Sequence, residues 1–191
     1  VLGEQAMQYQ INTPLEKNVI EMLSAGDMVY ITGCIYTARD AAHKRMAEAL
    51  ETGKDLPIDI KGETIYYMGP PPARKGNVIG SAGPTTASRM DKYTPRLLDM
   101  GLCGMIGKGK RSREVIEAMI RNGVVYFAAI GGAGALLSKT IVKAELIAYD
   151  DLGTEAIRKL TVKDFPAIVV IDARGNNLYD IAQKEFNTEN N

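Results

Sequence analysis

Cysteine occurs twice and histidine once in this 191-residue chain, and its charges cancel. Cys34 and Cys103 sit in stretches with the apolar character of buried strands, at no metal-ligand spacing. They make no disulfide framework, and a reducing cytoplasm suits them. The single histidine, His43, has no companion ligands around it, which favours a structural hydrogen-bonding role over metal ligation. Lysine plus arginine total 23, as do aspartate plus glutamate. With no basic stripe, nucleic acid is excluded as a partner. The longest apolar run, residues 124–137, is too short and too glycine-rich to cross a bilayer. The first residues lack the basic-then-apolar pattern of an export signal. The length is that of one domain with a sizeable core.

What is present is concentrated at residues 80–91, Gly-Ser-Ala-Gly-Pro-Thr-Thr-Ala-Ser-Arg-Met-Asp. Gly83 and Pro84 signal a turn, and Thr85 and Thr86 signal a helix cap. A helix start offers unpaired N–H groups and a partial positive charge to an anion. Arg89 adds a planar fork that matches a carboxylate. Two further segments have the same character. Residues 29–36 read as an apolar strand leading into Thr37, Ala38, Arg39 and Asp40, where Thr37 and Asp40 have the spacing of a capping box. That places Arg39 and Asp40 in the first turn of a helix, with His43 one turn further on. Residues 103–107 read as a short strand running into Lys108, Gly109 and Lys110. In open sheets ligands collect at the carboxyl ends of parallel strands. Convergence of Arg39, Thr85, Arg89 and Lys108 there would make a carboxylate site with a hydroxyl beside it.

The remaining chain reads as scaffold. An opening strand or turn covers residues 11–15, and a short helix carries Val19, Ile20 and Leu23. Strand character marks residues 55–60, 64–68, 124–130, 144–149 and 167–171. Ser112 caps a helix over 113–122, with Val115, Ile116, Met119 and Ile120 as its buried stripe and Gly123 as its stop. Gly153 and Thr154 open another helix that ends near Leu160. The tail from Asn187 is polar and frayed. One sheet system with interleaved helices gives an α/β fold: a mixed sheet with flanking helices in a single domain over residues 1–191.

Each candidate residue has a plainer explanation. Thr85 alone can be an N-cap. Arg39 can pair with Asp40 or a surface acid, a weak interaction. Arg89 can lie on a solvated helix face, and Lys108 in an exposed loop. Asp91 can close a turn or pair with a nearby arginine. Residues 131–134, Gly-Gly-Ala-Gly, lack both nucleotide fingerprints, and close backbone packing accounts for them better than phosphate binding.

Several motifs, taken in order, resemble a known family. They are Thr-Gly-Cys-Ile-Tyr-Thr-Ala-Arg-Asp-Ala-Ala-His-Lys-Arg (32–45), Gly-Pro-Thr-Thr-Ala-Ser-Arg-Met-Asp (83–91), Met-Ile-Gly-Lys-Gly (105–109) and Gly-Gly-Ala-Gly-Ala-Leu (131–136), followed by Asp164, Phe165, Pro166 and Asp172. The chain is similar to the beta subunit, equivalent to the C-terminal domain, of the iron–sulfur hydro-lyases: class I fumarase and L-tartrate dehydratase. Ala38 departs from the glycine usual in that family, and alanine suits a helix start.

The resemblance implies a swivelling β/β/α domain that reversibly hydrates fumarate to L-malate, with L-tartrate dehydration as the alternative. It implies Thr85 as the proton-abstracting residue; Asp40 or His43 is the candidate to orient that chemistry. Arg39, Arg89 and Lys108 would bind the substrate carboxylates. It also implies a four-iron four-sulfur cluster whose iron acts as a Lewis acid. Two cysteines cannot build such a centre, so none is expected here and the cluster would belong to a partner alpha subunit. The assembly would then be a homo-oligomer or heterotetramer, with a small dicarboxylate as substrate. A free-standing dicarboxylate-binding module remains a separate reading, distinguished by the gene neighbourhood. A phosphate-binding protein lacks its motif.

Overall fold

The structure, a computed structural model, describes residues 6–130 and 134–189. Its elements are β1 (Gln8–Thr13), α1 (Lys17–Met22), β2 (Met28–Thr37), α2 (Asp40–Glu51), β3 (Thr64–Tyr66), a 3₁₀ turn (Ala87–Met90), α3 (Thr94–Asp99) and β4 (Gly104–Gly107), followed by α4 (Arg113–Asn122), β5 (Val125–Ala129), α5 (Gly134–Ser138), β6 (Ile141–Ala148), a second 3₁₀ turn (Asp150–Glu155), β7 (Ile157–Ile171) and α6 (Leu178–Glu189). Strands β1 to β5 run parallel, each beside the next. The long β7 is antiparallel to all its neighbours. One edge pairs with β2 and the other with β5 and then β6. Strands β2, β3, β4, β5 and β7 therefore close into a ring. The α/β expectation of a mixed sheet with flanking helices is borne out.

Alternation along the strands explains two cores. Tyr66, Ile106 and Phe127 join Ile31, Leu160 and Phe165 in one cluster. Tyr66 meets Phe165 edge-on at 5.3 Å across the ring. Their neighbours Ile65, Tyr67, Met105 and Tyr126 point the other way, against Met46, Met90, Leu98 and Met119 of the helical layer. Burial on both faces is why β3 and β4 carry almost no polar residue.

Helix α4 starts and stops where the sequence says. The Ser112 hydroxyl accepts the Val115 N–H at 3.4 Å, and Gly123 ends the helix in the left-handed region at φ 63°. Its buried stripe differs: Val115, Ala118 and Met119 face the core, while Ile120 is 48 % exposed. The helix is rotated toward Ala118, whose small side chain lets it sit close to the sheet. The Ser112→Ala variant is expected to lose about 1 kcal/mol of stability, read as a lower thermal midpoint with the fold intact.

Two other expectations are corrected. Residues 55–60 form no strand, although Ile58 and Ile60 are buried; isolated apolar residues anchor a loop here. The helix expected from Gly153 is only the 3₁₀ turn, and β7 already begins at Ile157. Residues 157–162 gain two sheet neighbours, β2 and β6, which outweighs local helical preference. Helix α6 runs to Glu189. Residues 131–133 lie outside the described residues. Gly134 does pack backbone to backbone: its carbonyl accepts the Ala82 N–H at 3.0 Å, and a Cβ there would come within 2.5 Å of the Gly83 nitrogen.

Candidate active site

The parallel strands bring three segments to one edge. At the end of β2, the Ala38 N–H donates to the Tyr66 carbonyl at 3.1 Å, so Arg39 emerges beside the end of β3. The loop carrying Thr85 inserts as a strand extension: its N–H donates to the Tyr67 carbonyl at 2.7 Å, and its carbonyl accepts the Lys108 N–H at 3.3 Å. The Ala87 N–H returns to the Lys108 carbonyl at 2.8 Å. Thr85 and Lys108 are thus tied together through the backbone just past the carboxyl ends of β3 and β4. The cap position of the 3₁₀ turn is Thr86, and its hydroxyl makes no capping bond. Capping accounts for neither threonine.

Arg39, Asp40 and Arg89 meet through side chains. Arg89 Nη2 lies 2.8 Å from Asp40 Oδ2, and Arg39 Nη2 lies 3.8 Å from the same oxygen. Both are ion contacts without hydrogen-bond alignment, since Asp40 Oδ2 is buried with no hydrogen-bond partner among the described residues. Two guanidinium groups thus share one carboxylate, while the Lys108 side chain is exposed. Arg39 can lie here because position 69 is glycine: a Cβ there would stand 2.7 Å from Arg39 Cδ. The capping box expected at Thr37 and Asp40 is not formed. Thr37 instead accepts the Arg158 N–H at 3.1 Å on β7, and Arg39 occupies the cap position of α2. Glu155, which sequence reading passed over, lies 3.7 Å from Arg39 Nε and accepts the Ala41 N–H at 3.3 Å, taking over the first-turn role.

His43 sits beneath this cluster rather than within it, 1 % exposed. Its Nδ1 lies 2.9 Å from the Arg39 carbonyl, which only accepts, so Nδ1 carries the proton. Nε2 is left buried with no partner among the described residues. Burial pushes its pKa down to about 4; the hydrogen bond to the Arg39 carbonyl pulls the other way, and the nearby Arg111 charge adds a smaller downward push.

A family model described as Fumarase C-terminus matches residues 2–182. The chain belongs to the fumarase C-terminus family. It is 39 % identical over 180 residues to "Fumarate hydratase class I, anaerobic" of Escherichia coli (strain K12), covering 92 % of this chain and 33 % of that protein. It is 37 % identical over 183 residues to "Fumarate hydratase 2" of Leishmania major, covering 93 % and 32 %. It is 36 % identical over 185 residues to the "Putative L(+)-tartrate dehydratase subunit beta" of Methanocaldococcus jannaschii, covering 94 % of each chain. The chain thus spans about a third of the fumarate hydratases and nearly all of the tartrate dehydratase subunit.

This fumarase C-terminus domain does not fit an iron–sulfur cluster by itself. Among the described residues no group of three or more His, Cys, Asp and Glu could hold a metal. Cys34 on β2 and Cys103 ahead of β4 are only partly buried, not the core residues the sequence suggests. The Cys103 thiol donates to the Gly101 carbonyl at 3.4 Å, and burial raises its pKa, the opposite of a ligating thiolate. No described helix of the domain is long and apolar enough to cross a membrane.

The residue least legible beforehand in this fumarase C-terminus domain is Arg111. Within the basic run Lys108 to Arg111 it reads as one more solvated cation, yet its side chain is 0 % exposed and pairs with Asp91 at 2.7 Å. Asp91 therefore takes the pairing role weighed for it from sequence. Burial opposes the Arg111 charge, but Tyr67 and Asp91 outweigh it and hold its pKa above the ordinary value.

Proposed function

We propose that this chain is the substrate-gripping, proton-abstracting half of an iron–sulfur hydro-lyase that interconverts fumarate and L-malate. The observation that carries this reading is the sharing of Asp40 by Arg39 and Arg89 at the edge where Thr85 is tied to Lys108. The cluster, which this chain's residues do not fit, is assigned to a partner alpha subunit corresponding to the remaining two-thirds of the fumarate hydratases.

In this reading Arg39 and Arg89 take one substrate carboxylate in place of, or beside, that of Asp40, because the site already stabilises that chemical group. Lys108 meets the other carboxylate as a point charge. In the malate-to-fumarate direction the substrate carbon next to a carboxylate loses its proton to Thr85 Oγ1, the C–H electron pair forms the C=C bond, and the hydroxyl on the adjacent carbon departs and takes up a proton as water. A threonine hydroxyl is a weak base, so it must work beside these cations and hand its own proton to a second acceptor, supplied across the subunit interface. Asp40 orients the two arginines. His43, through Nδ1–H to the Arg39 carbonyl, orients the backbone that presents them.

Dehydration of L-tartrate is the second reading, supported by the 36 % identity to the Methanocaldococcus jannaschii subunit. Co-expression with the cluster-bearing partner, followed by assay of fumarate, malate and both tartrate enantiomers, decides between them. The isolated chain is expected to be colourless and inactive; turnover by the metal-stripped chain alone would refute the division of labour. In the complex, Arg39→Met or Arg89→Met is expected to raise KM by about tenfold to a hundredfold, the worth of a charged hydrogen-bonding fork. Unchanged KM in both variants would move the carboxylate site elsewhere.

A further inference from the structure

Arg111 touches more of the site's supports than any one structural task requires. Its Nε donates to Asp91 Oδ1 at 2.7 Å, and its Nη2 donates to the Tyr67 hydroxyl at 3.2 Å and to Thr94 Oγ1 at 3.0 Å. Nη1 lies 3.2 Å from Met105 Sδ. The Tyr67 and Tyr126 rings lie against the guanidinium at 5.2 and 5.0 Å. Each main partner is one step from a candidate site residue. The Tyr67 carbonyl accepts the Thr85 N–H. Asp91 follows Arg89 by two residues, and its Oδ2 accepts the Ser112 N–H at 2.7 Å. Tyr126 donates its hydroxyl to the carbonyl of Gly109, next to Lys108, at 3.0 Å.

A buried ion pair is often no more stabilising than apolar residues of the same volume. Stability is therefore a weak reason for a charge at this point. A rigid fork with five donors is suited to another task, holding several segments in one mutual geometry. We propose that Arg111 is a positioning residue that fixes, at one guanidinium, the segment carrying Thr85 and Arg89 and the segment carrying Lys108, so that a dianionic substrate meets them already in place. The proposal rests on the reading of those three residues as the carboxylate site. Misplacing reacting groups by about 1 Å is enough to lose about a hundredfold in rate, which is what a single shared anchor prevents.

Two variants of the full chain test this: Arg111→Lys, which keeps the charge and loses the fork, and Arg111→Met combined with Asp91→Leu, which removes the pair as a unit. Amide exchange is read by NMR at Thr85 and Lys108, with Gly26 and Val169 as remote references, since those two also donate backbone hydrogen bonds. At least one variant is expected to fold with Gly26 and Val169 as protected as in the wild type, while Thr85 and Lys108 exchange about tenfold faster. In the complex with the partner, its KM is expected to rise more than its kcat falls. Protection at Thr85 and Lys108 that falls no more than at the references overturns the proposal. So does global unfolding of both variants, which would assign Arg111 to the fold alone. If the wild-type complex turns over none of the four substrates, the functional reading fails, while the exchange data still decide whether Arg111 positions these segments.

Discussion

In the proposed complex with a cluster-bearing partner, Thr85→Ala is expected to lower kcat by about 10²- to 10⁴-fold, the usual contribution of a positioned acid–base group, with KM little changed. The variant isolates the hydroxyl because the backbone at Thr85 is pinned on both sides, by its N–H to Tyr67 and its carbonyl from Lys108. Neither bond needs the side chain. The plain alternative, a helix cap, is removed by the geometry: the following 3₁₀ turn has Thr86 at its cap position, without a side-chain bond. Thr85→Ser keeps a hydroxyl and is expected to retain measurable turnover. A Thr85→Ala rate within about twofold of the wild type, with steady-state substrate well above KM, would take Thr85 out of the mechanism.

The second large effect is a pH dependence of stability centred on His43. Its imidazole is buried, with Nδ1–H on the Arg39 carbonyl and Nε2 without a hydrogen-bond partner among the described residues, so a second proton would add an unpaired buried charge. The folded pKa of about 4 stands below the ordinary 6.5 of the unfolded chain. As pH falls below 6.5, the unfolded state binds a proton that the folded state refuses, so stability falls. Above pH 6.5 the group contributes no pH dependence. At about 1.4 kcal/mol for each pH unit, the loss from pH 6.5 down to pH 4 is about 3 kcal/mol. Denaturant unfolding of the wild type and of His43→Gln across this range measures it. The wild-type curve is expected to fall more steeply by that amount, whatever the variant's absolute stability. Parallel curves would mean that His43 accepts a proton freely in the folded protein.

The legible parts of the fold were those written in local chemistry. Ser112 and Gly123 bound α4 because a hydroxyl at the cap and a left-handed glycine act within one turn. The strand ends carrying Arg39 and Lys108 were readable because apolar runs stop abruptly at polar and glycine residues. Thr37 misled for the same reason: its spacing to Asp40 fits a capping box, but a partner about 120 positions later, Arg158, takes its hydroxyl. Residues 157–160 misled because pairing on both edges of β7 comes from segments distant in the chain. Arg111 and Glu155 left no local signal. A cation in a basic loop and a glutamate in a turn become site supports only when the sheet closes over one and α2 begins beside the other.

By itself the sequence determined a mixed α/β fold and membership of the fumarase C-terminus family, with cations placed just after the strand ends at residues 37 and 107. Alternation and turn chemistry act over a few residues, and motif order is read directly along the chain. Only the tertiary structure decided that Arg39 and Arg89 share one carboxylate, that Thr85 is stitched to Lys108, and that His43 and Arg111 lie buried underneath. Parallel strands bring residues 39, 85 and 108 together across long loops, and the burial that sets a histidine's proton affinity or an arginine's partners exists only once those strands have closed.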